Sequence, residues 1–213
     1  GSEIEGIVKR ESSKVMSYRA QQTALIHAVE LLDKYAPAKS KLLSAKPELE
    51  VDVLLEDAEQ EAALKLAASI AAGDEQIKRL AAEQSRLRGV AEALAPWKTL
   101  DMPLETEGTE RCSVIMGSLP AKVSAGEVEA AIGAATEEAE LFVVSEDKSQ
   151  RYILIVCLRQ ELAAVQEALR PFSFSAASLG GMKGTAAQCI AEAENAQREC
   201  AEQREQAKKN IVD

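Results

Sequence analysis

The chain is poor in aromatic side chains. They make up 3% of its 213 residues, with one Trp, three Tyr and three Phe. A compact globular protein of this length normally has more large rings, because aromatic side chains fill deep cores well. Ala, Glu, Gln, Lys, Leu and Arg dominate instead, and this composition is typical of long helices.

Metal-binding, disulfide and membrane-spanning patterns are also missing from the sequence. The four cysteines (Cys112, Cys157, Cys189 and Cys200) form no CxxC pair, and His27 is the single histidine. We therefore predict no metal site and no disulfide framework, and expect free thiols in a reducing cytosol. No apolar run approaches the length of a membrane span, and no signal peptide is visible.

The net charge is −10. This balance argues against nucleic acid as a partner, because phosphate binding needs clustered Lys and Arg. It also argues against electrostatic adsorption to anionic lipid. At the ends, Gly1-Ser2 is typical of residues left by expression cloning, and Asp213 falls inside a helical pattern with no stop signal. We expect a piece of a longer protein.

Two helices are predicted in the first half of the chain. The first spans residues 3–36 and ends before Pro37. Its apolar residues alternate by four and three, although Glu11 and Gln22 interrupt the series: Ile4, Val8, Val15, Tyr18, Leu25, Val29, Leu32 and Ala36. A basic connector, Ala38–Pro47, follows. Its Leu42 and Leu43 either contact a partner or anchor the loop, and the sequence favours neither.

The second helix, predicted over residues 48–95, has the most regular pattern. Its stripe alternates by four and three without a slip: Leu66, Ile70, Gly73, Ile77, Leu80, Gln84, Leu87, Ala91 and Leu94. Such a narrow stripe with polar flanks favours a coiled coil over an amphipathic helix on a globular core, which would show a wider stripe. Together the two helices are predicted to form a helical arm, residues 3–95.

Residues 109–175 are predicted to form a small α/β lobe. Strands are indicated at Arg111–Leu119, Leu141–Ser145, Tyr152–Leu158 and Phe172–Ser175. Helices are indicated at Ser124–Ala135, with a capping box from Ser124 and Glu127, and at Gln160–Leu169. The order β-α-β-β-α-β is that of the ferredoxin-like split βαβ arrangement.

A return helix is predicted over residues 185–213, with Thr185 and Gln188 as its capping box. Its stripe comprises Ala186, Ile190, Ala193, Gln197, Cys200, Arg204, Ala207 and Ile211. We expect it to pair antiparallel with the second helix through Ile70, Ile77, Leu80, Leu87, Ile190 and Ala193. The predicted class is α+β, with long antiparallel coiled-coil helices and the lobe at their tip.

No catalytic, cofactor-binding or metal residue is nominated by the sequence. The stretch Gly180–Thr185 (GGMKGT) departs from the phosphate-binding loop pattern because Lys183 precedes Gly184, so a turn into the return helix is the better interpretation. His27 is interpreted as a surface histidine. Trp97 is interpreted as a hydrophobic plug at the joint between helix and lobe, with a partner contact as the alternative.

Leu94–Leu104 (LAPWKTLDMPL) resembles the L-x-P-W-x-x-L-D-x-P-L stretch of subunit I of bacterial V-type (V/A-type) ATPases, the counterpart of eukaryotic V-ATPase subunit a. Leu31–Pro37 (LLDKYAP) and Lys46–Glu48 (KPE) are similar to the family's L-x-K-Y-A-P and K-P-E segments between two helices. The matches occur in the family's order, and the resemblance covers most of the chain. Neither motif is catalytic.

The resemblance implies a soluble N-terminal cytoplasmic arm with a proximal lobe, a bent coiled-coil rod and a distal lobe, followed by a membrane half. Against that pattern, the opening strand before Glu3 and everything after Asp213 are missing. The family's channel arginine has no counterpart here, and no transport residue can be carried over. The resemblance further implies a stator whose lobes bind the E and G peripheral-stalk subunits, with residues 109–175 as the docking tip.

We therefore predict a non-catalytic stator element of a rotary V-type ATPase, on the cytoplasmic side of a membrane-bound complex. It would link peripheral stalks to the ion-translocating sector without binding a small-molecule substrate. The alternative is a free-standing coiled-coil adaptor whose ferredoxin-like lobe binds a ligand or protein. An enzyme is the third possibility. The sequence does not identify the lobe residues that contact a partner.

Overall fold

The computed structural model describes residues 2–37, 57–179 and 181–213, and the side chains of residues 15–37, 59–179 and 181–213 among them. The connector with Leu42 and Leu43, the predicted start of the second helix at residue 48, and Gly180 lie outside the described residues. The chain divides into two compact units. One comprises the described residues up to Gln84 together with Arg198–Asp213, and the other is Ser85–Gln197.

Three long helices and a small sheet make up the fold. Helix α1 is Ser2–Tyr35, α2 is Asp57–Leu94 and α5 is Ala186–Val212. Between α2 and α5 lie β1 (Cys112–Pro120), α3 (Ala125–Ala135), β2 (Ala139–Glu146), β3 (Gln150–Leu158), α4 (Leu162–Leu169) and β4 (Ser175–Ala176). The predicted α+β class and the long helices are confirmed.

The first unit is a packing of α1 with parts of α2 and α5. Its buried core contains small and branched apolar side chains from all three helices: Ala28, Leu31, Ala67, Ile70, Ile77, Ala207 and Ile211. A side-chain hydrogen bond joins Gln60 to Gln21, and another joins Tyr35 to Asp74. Residue numbers therefore increase in the same direction along α1 and α2, so these two helices run parallel.

Helices α2 and α5 run antiparallel in this unit. Gly73 lies against Ile211, since a Cβ added at Gly73 would be 2.8 Å from the Ile211 Cγ1. Farther along, the Arg204 guanidinium donates to the Gln84 amide oxygen at 2.7 Å. Residue numbers therefore increase along α2 in the direction in which they decrease along α5. Of the six side chains predicted for this pairing, Ile70, Ile77 and Leu80 are buried in this unit, and Leu87, Ile190 and Ala193 are buried in the other.

The predicted stripe of α1 is wrong at three of the positions that the structure describes. Val15, Tyr18 and Val29 are 51%, 62% and 61% exposed, whereas the buried positions are Ala28 and Leu31. Leu25 and Leu32, both in the predicted stripe, do pack against the core. The prediction followed the bulkier apolar residues, whereas the close packing of parallel helices places the small Ala28 at the contact.

The predicted stripe of α2 is wrong at Leu66, which is 61% exposed. The neighbouring Ala67 is buried instead, as is Asp74 beside Gly73. The reason is that this part of α2 contacts two helices, so its buried face is wider than the narrow stripe of a two-stranded coiled coil. From Ile77 to Leu94 the predicted spacing holds, with Leu80, Leu87 and Leu94 buried.

The lobe is a four-stranded antiparallel sheet in the order β2-β3-β1-β4. This order is that of the predicted split βαβ arrangement. Helices α3 and α4 share one core with the sheet, and its fully buried members include Val128, Ile132, Ile153, Ile155 and Val165. The predicted capping box of α3 is present, with Ser124 and Glu127 bonded to each other's backbone N–H groups.

The last strand lies later than predicted. Instead of Phe172–Ser175, the strand is Ser175–Ala176, and Arg170–Phe172 forms a 3₁₀ turn that contains Pro171. Ser173 then adopts a left-handed conformation with φ of 56°. The Phe174 ring packs against Gly117 of β1, where an added Cβ would be 2.3 Å from the ring. The ring therefore requires glycine at that position.

Candidate interaction surface

Both faces of the sheet are at least partly covered. The first face packs on α3 and α4. Part of the second face, including Met116, Val144 and Tyr152, packs against a cluster formed by Leu94, Trp97, Leu104, Ala186 and Ile190. The edges of the sheet are therefore its more accessible parts. Strand β2 forms one edge and the two-residue β4 forms the other.

The β2 edge combines exposed apolar and acidic side chains. Phe142 and Val143 are 42% and 46% exposed. Glu137 and Glu138 precede the strand's first residues, Glu140 lies within it, and all three are exposed. No charge of the opposite sign interrupts residues 137–143. We define these seven residues as the β2 edge.

The far end of β2 is tied to the segment that follows α2. The Ser145 hydroxyl donates to the Pro96 carbonyl at 2.6 Å, and the Thr99 hydroxyl to the Val144 carbonyl at 3.4 Å. The β2–β3 turn is ordered by Asp147, whose Oδ1 accepts the backbone N–H groups of Ser149 and Gln150. These bonds, that of Ser149 first, lower the pKa of Asp147 to about 2.

Trp97 is the plug that its position predicted. It is 3% exposed, and its ring meets that of Tyr152 edge to face, with centroids 5.7 Å apart. Burial, together with a hydrogen bond to Asp147, raises the pKa of Tyr152. The favourable edge-to-face arrangement of such a ring pair adds to the stabilisation from apolar burial. Trp97 therefore fixes the joint and is not available to a partner.

The stretch before α5 is a turn, as predicted. Gly181 and Gly184 both have positive φ, at 85° and 84°. The Gly184 N–H donates to a Glu105 carboxylate oxygen at 2.8 Å, and the Gly184 carbonyl accepts the Leu104 N–H. The predicted capping box between Thr185 and Gln188 is present. In a phosphate-binding loop such an N–H would be free to bind phosphate, whereas here the Gly184 N–H is bonded to the Glu105 carboxylate.

Asp74 is a buried charge that the sequence analysis missed. Its side chain is 2% exposed and bonds Lys34 at 2.9 Å, Lys78 at 2.8 Å and the Tyr35 hydroxyl at 2.7 Å. The hydrogen bond from Lys78, with those from Tyr35 and Lys34, holds the pKa of Asp74 far below its usual range despite burial. The pKa of Lys78 is raised, chiefly by Asp74. The available signal was the spacing Asp74–Lys78, one helical turn.

Apolar side chains are also exposed on the first unit. Val15, Met16, Tyr18, Ile26 and Val29 of α1 and Leu66 of α2 are each more than half exposed. His27 is at the surface, as predicted, with Nδ1 3.7 Å from a Glu30 carboxylate oxygen. Over the described ranges, no group of three or more His, Cys, Asp or Glu could hold a metal ion. No helix among those residues is long and apolar enough to cross a membrane.

The fold is similar to that of a solved protein domain. It matches the crystal structure of the cytoplasmic N-terminal domain of subunit I, a homolog of subunit a, of V-ATPase, with a TM-score of 0.56 and 15% sequence identity. The match covers 92% of this chain but 64% of that one. No protein-family model matches the sequence, and no curated protein does. At this identity the similarity establishes the fold.

Proposed function

We propose that the chain is part of the cytoplasmic arm of subunit I of a V-type ATPase, where it serves as a non-catalytic stator element. The observation that carries the proposal is the agreement between the fold and the LAPWKTLDMPL stretch. The fold resembles the subunit I domain over 92% of this chain. Independently, that stretch resembles the subunit I sequence.

The fold gives a physical reason for the apolar residues of the LAPWKTLDMPL stretch. Leu94, Trp97 and Leu104 are 0%, 3% and 7% exposed and belong to one buried cluster, with Leu100 packed against it. The same cluster contacts the sheet and the first turns of α5. The apolar positions of the motif are therefore those that join helix α2, the lobe and helix α5. A stator needs such a joint, because it transmits load without chemistry.

In this proposal the lobe docks on a peripheral stalk made of the E and G subunits, on the cytoplasmic side of the membrane. The β2 edge supports it, because it offers exposed Phe142 and Val143 on a lobe whose sheet faces are both at least partly covered. A docking patch of standard size, about 800 Å² per partner, fits a lobe of this length. A stator gains strength from several attachment points, so one lobe alone should bind modestly.

The test is capture of a purified E–G heterodimer by the full chain. We expect capture by the wild-type protein and weaker capture by Phe142→Asp. Met16→Asp is the matched control, because Met16 is 70% exposed and lies in the other unit. Equal capture by all three proteins would move the interface away from the β2 edge. No capture by the folded wild-type protein would contradict the stator role and favour the adaptor.

A further inference from the structure

The β2 edge has backbone groups that point away from the sheet. The Leu158 N–H donates to the Glu138 carbonyl at 3.0 Å, while Ala139 faces Cys157 in the register of β2 and β3. In an antiparallel ladder, a bond between the neighbours of two facing residues shows that the facing residues do not bond to each other. Ala139 and Cys157 are therefore a non-hydrogen-bonded pair. Because the two pair types alternate, Glu140 and Phe142 bond to β3. Ala139, Leu141 and Val143 then direct their N–H and C=O groups outward.

These outward groups are unused within the described part of the chain, where no backbone partner is found for them. Unpaired edge groups on a strand are a template for a further strand. Phe142 and Val143 provide exposed apolar area beside them. The ties from Pro96 and Thr99 to the far end of β2 limit the free edge to Ala139–Val143.

An acidic cavity adjoins the same edge. It measures about 420 Å³, and its lining includes Glu137, Glu138 and Glu140 together with the apolar Val156 and Leu158. Two arginines, Arg111 and Arg159, line a neighbouring cavity. The Arg159 guanidinium there donates to the Thr109 carbonyl at 2.7 Å. The acidic cavity suits a Lys or Arg side chain, whose apolar stem would lie on Val156 and Leu158.

We propose that the β2 edge binds an extended segment of a partner protein in which basic and apolar residues alternate, as an added fifth strand. The alternation follows from the period of a strand, which places every second side chain on one face. A second copy of this chain is a poorer occupant, because edge-to-edge pairing would bring two sets of carboxylates together. The proposal refines the docking surface proposed above and rests on that function only for the partner's identity.

The test uses amide hydrogen exchange on the full chain with a capped octapeptide of alternating Lys and Val. At saturation we expect exchange of the Ala139, Leu141 and Val143 amides to slow by about tenfold or more. The Glu140 and Phe142 amides already bond to β3 and should change little. An alternating Lys–Pro peptide keeps the charge, but its prolines lack a backbone N–H and disfavour a paired strand. An alternating Glu–Val peptide reverses the charge. Neither should protect these amides.

Two variants separate the backbone from the charge. Ala139→Pro removes one outward N–H, and Glu140→Lys reverses one cavity charge; each should weaken binding of the Lys–Val peptide by about fivefold or more. Glu129→Lys on α3 is the control for charge, since Glu129 is exposed and outside the cavity. It should bind as the wild type does. Equal binding by Glu140→Lys, or protection of other amides, would overturn the proposal.

Protection that appears with rising protein concentration and no peptide would identify a second copy as the occupant, and this too would overturn the proposal. Neither the E nor the G subunit is present in this experiment. Peptide binding without E–G capture would therefore contradict only the stator role. E–G capture without peptide protection would contradict only the added strand.

Discussion

At the residue scale, Asp74 shows how a buried charge can orient two helices. Its carboxylate is reached from α1 by Lys34 and Tyr35 and from α2 by Lys78. A carboxylate buried without partners would be costly, so these three donors must approach together. Sliding α1 by one turn would remove two of them. We infer that Asp74 fixes the parallel register of α1 on α2.

Asp74→Asn should lower the free energy of unfolding at pH 7 by about 2–3 kcal/mol, because two ammonium groups lose their shared carboxylate. The loss is smaller than is usual for a broken buried pair, since Lys34 and Lys78 are 53% and 56% exposed and water compensates in part. Urea denaturation followed by far-UV circular dichroism measures it. Glu75→Gln is the control: Glu75 also pairs with Lys78 but is 72% exposed. It should show no measurable change.

The same comparison has a defined pH dependence. The pKa of Asp74 is lower in the folded protein than in the unfolded chain. Its contribution to the free energy of unfolding is therefore fully present above the unfolded pKa, about 4, and is lost as pH falls toward the folded pKa. The difference between the wild type and Asp74→Asn should therefore shrink between about pH 4 and pH 2. A difference that stays constant would show that charge is not its cause.

At the scale of elements, the position of each helix along the chain was predictable but its buried face was not always so. Helix α5 packs on the predicted stripe, with Ala186, Ile190, Ala193, Ala207 and Ile211 all buried. Helices α1 and α2 depart from it where three helices meet. Periodicity reports one dominant apolar face, whereas a helix with two neighbours uses small residues such as Ala28 and Ala67 on a second one. That information depends on tertiary packing.

Leu66 and Ala67 give a direct test of the observed register, because they are adjacent on α2. Leu66 is 61% exposed and Ala67 is 4% exposed. Leu66→Lys should change the free energy of unfolding by less than about 0.5 kcal/mol, as expected for a surface site. Ala67→Lys should cost about 2 kcal/mol or more, because a charge enters a packed core. The reverse order, measured by urea denaturation, would restore the originally predicted stripe.

The antiparallel pairing of α2 and α5 can be tested by a disulfide. In a variant whose four native cysteines are replaced, Gly73→Cys with Ile211→Cys should crosslink on mild oxidation, since Gly73 lies against Ile211. Mobility on non-reducing gels and mass spectrometry report the bond. Gly73→Cys with Met16→Cys is the control, because Met16 is 70% exposed. Equal crosslinking of both pairs, or of neither, would contradict the pairing.

At the scale of the whole molecule, the α+β class and the sheet order were within reach of the sequence. Turn and capping residues such as Ser124 and Thr185 have local causes, so their roles were predictable. The last strand was misplaced because Phe174 takes its position from Gly117, a partner distant in sequence. The predicted sheet order placed β2 at an edge, but the exposure of Phe142 and Val143 could not be predicted, because it depends on which parts of the strand the rest of the chain covers.

The whole chain is expected to bind no nucleotide. The Gly184 N–H is engaged by Glu105, and no phosphate-binding loop is present in the sequence. Calorimetric titration with Mg-ATP at 25 °C should show no saturable heat. The isolated E–G pair plus this chain should behave in the same way. A stoichiometric site with micromolar affinity would contradict the non-catalytic role and revive the enzyme hypothesis.

The bond between Gln84 and Arg204 joins residues 120 positions apart. Closing so long a loop from the unfolded chain costs about 4 kcal/mol of entropy, and that cost must be met before the contact stabilises anything. Ser85–Gln197 is one contiguous compact unit that contains the end of α2 and the beginning of α5. If this unit forms first, most of the loop is already closed. Substitutions within it should slow folding, whereas those at Gln84 or Arg204 should mainly speed unfolding.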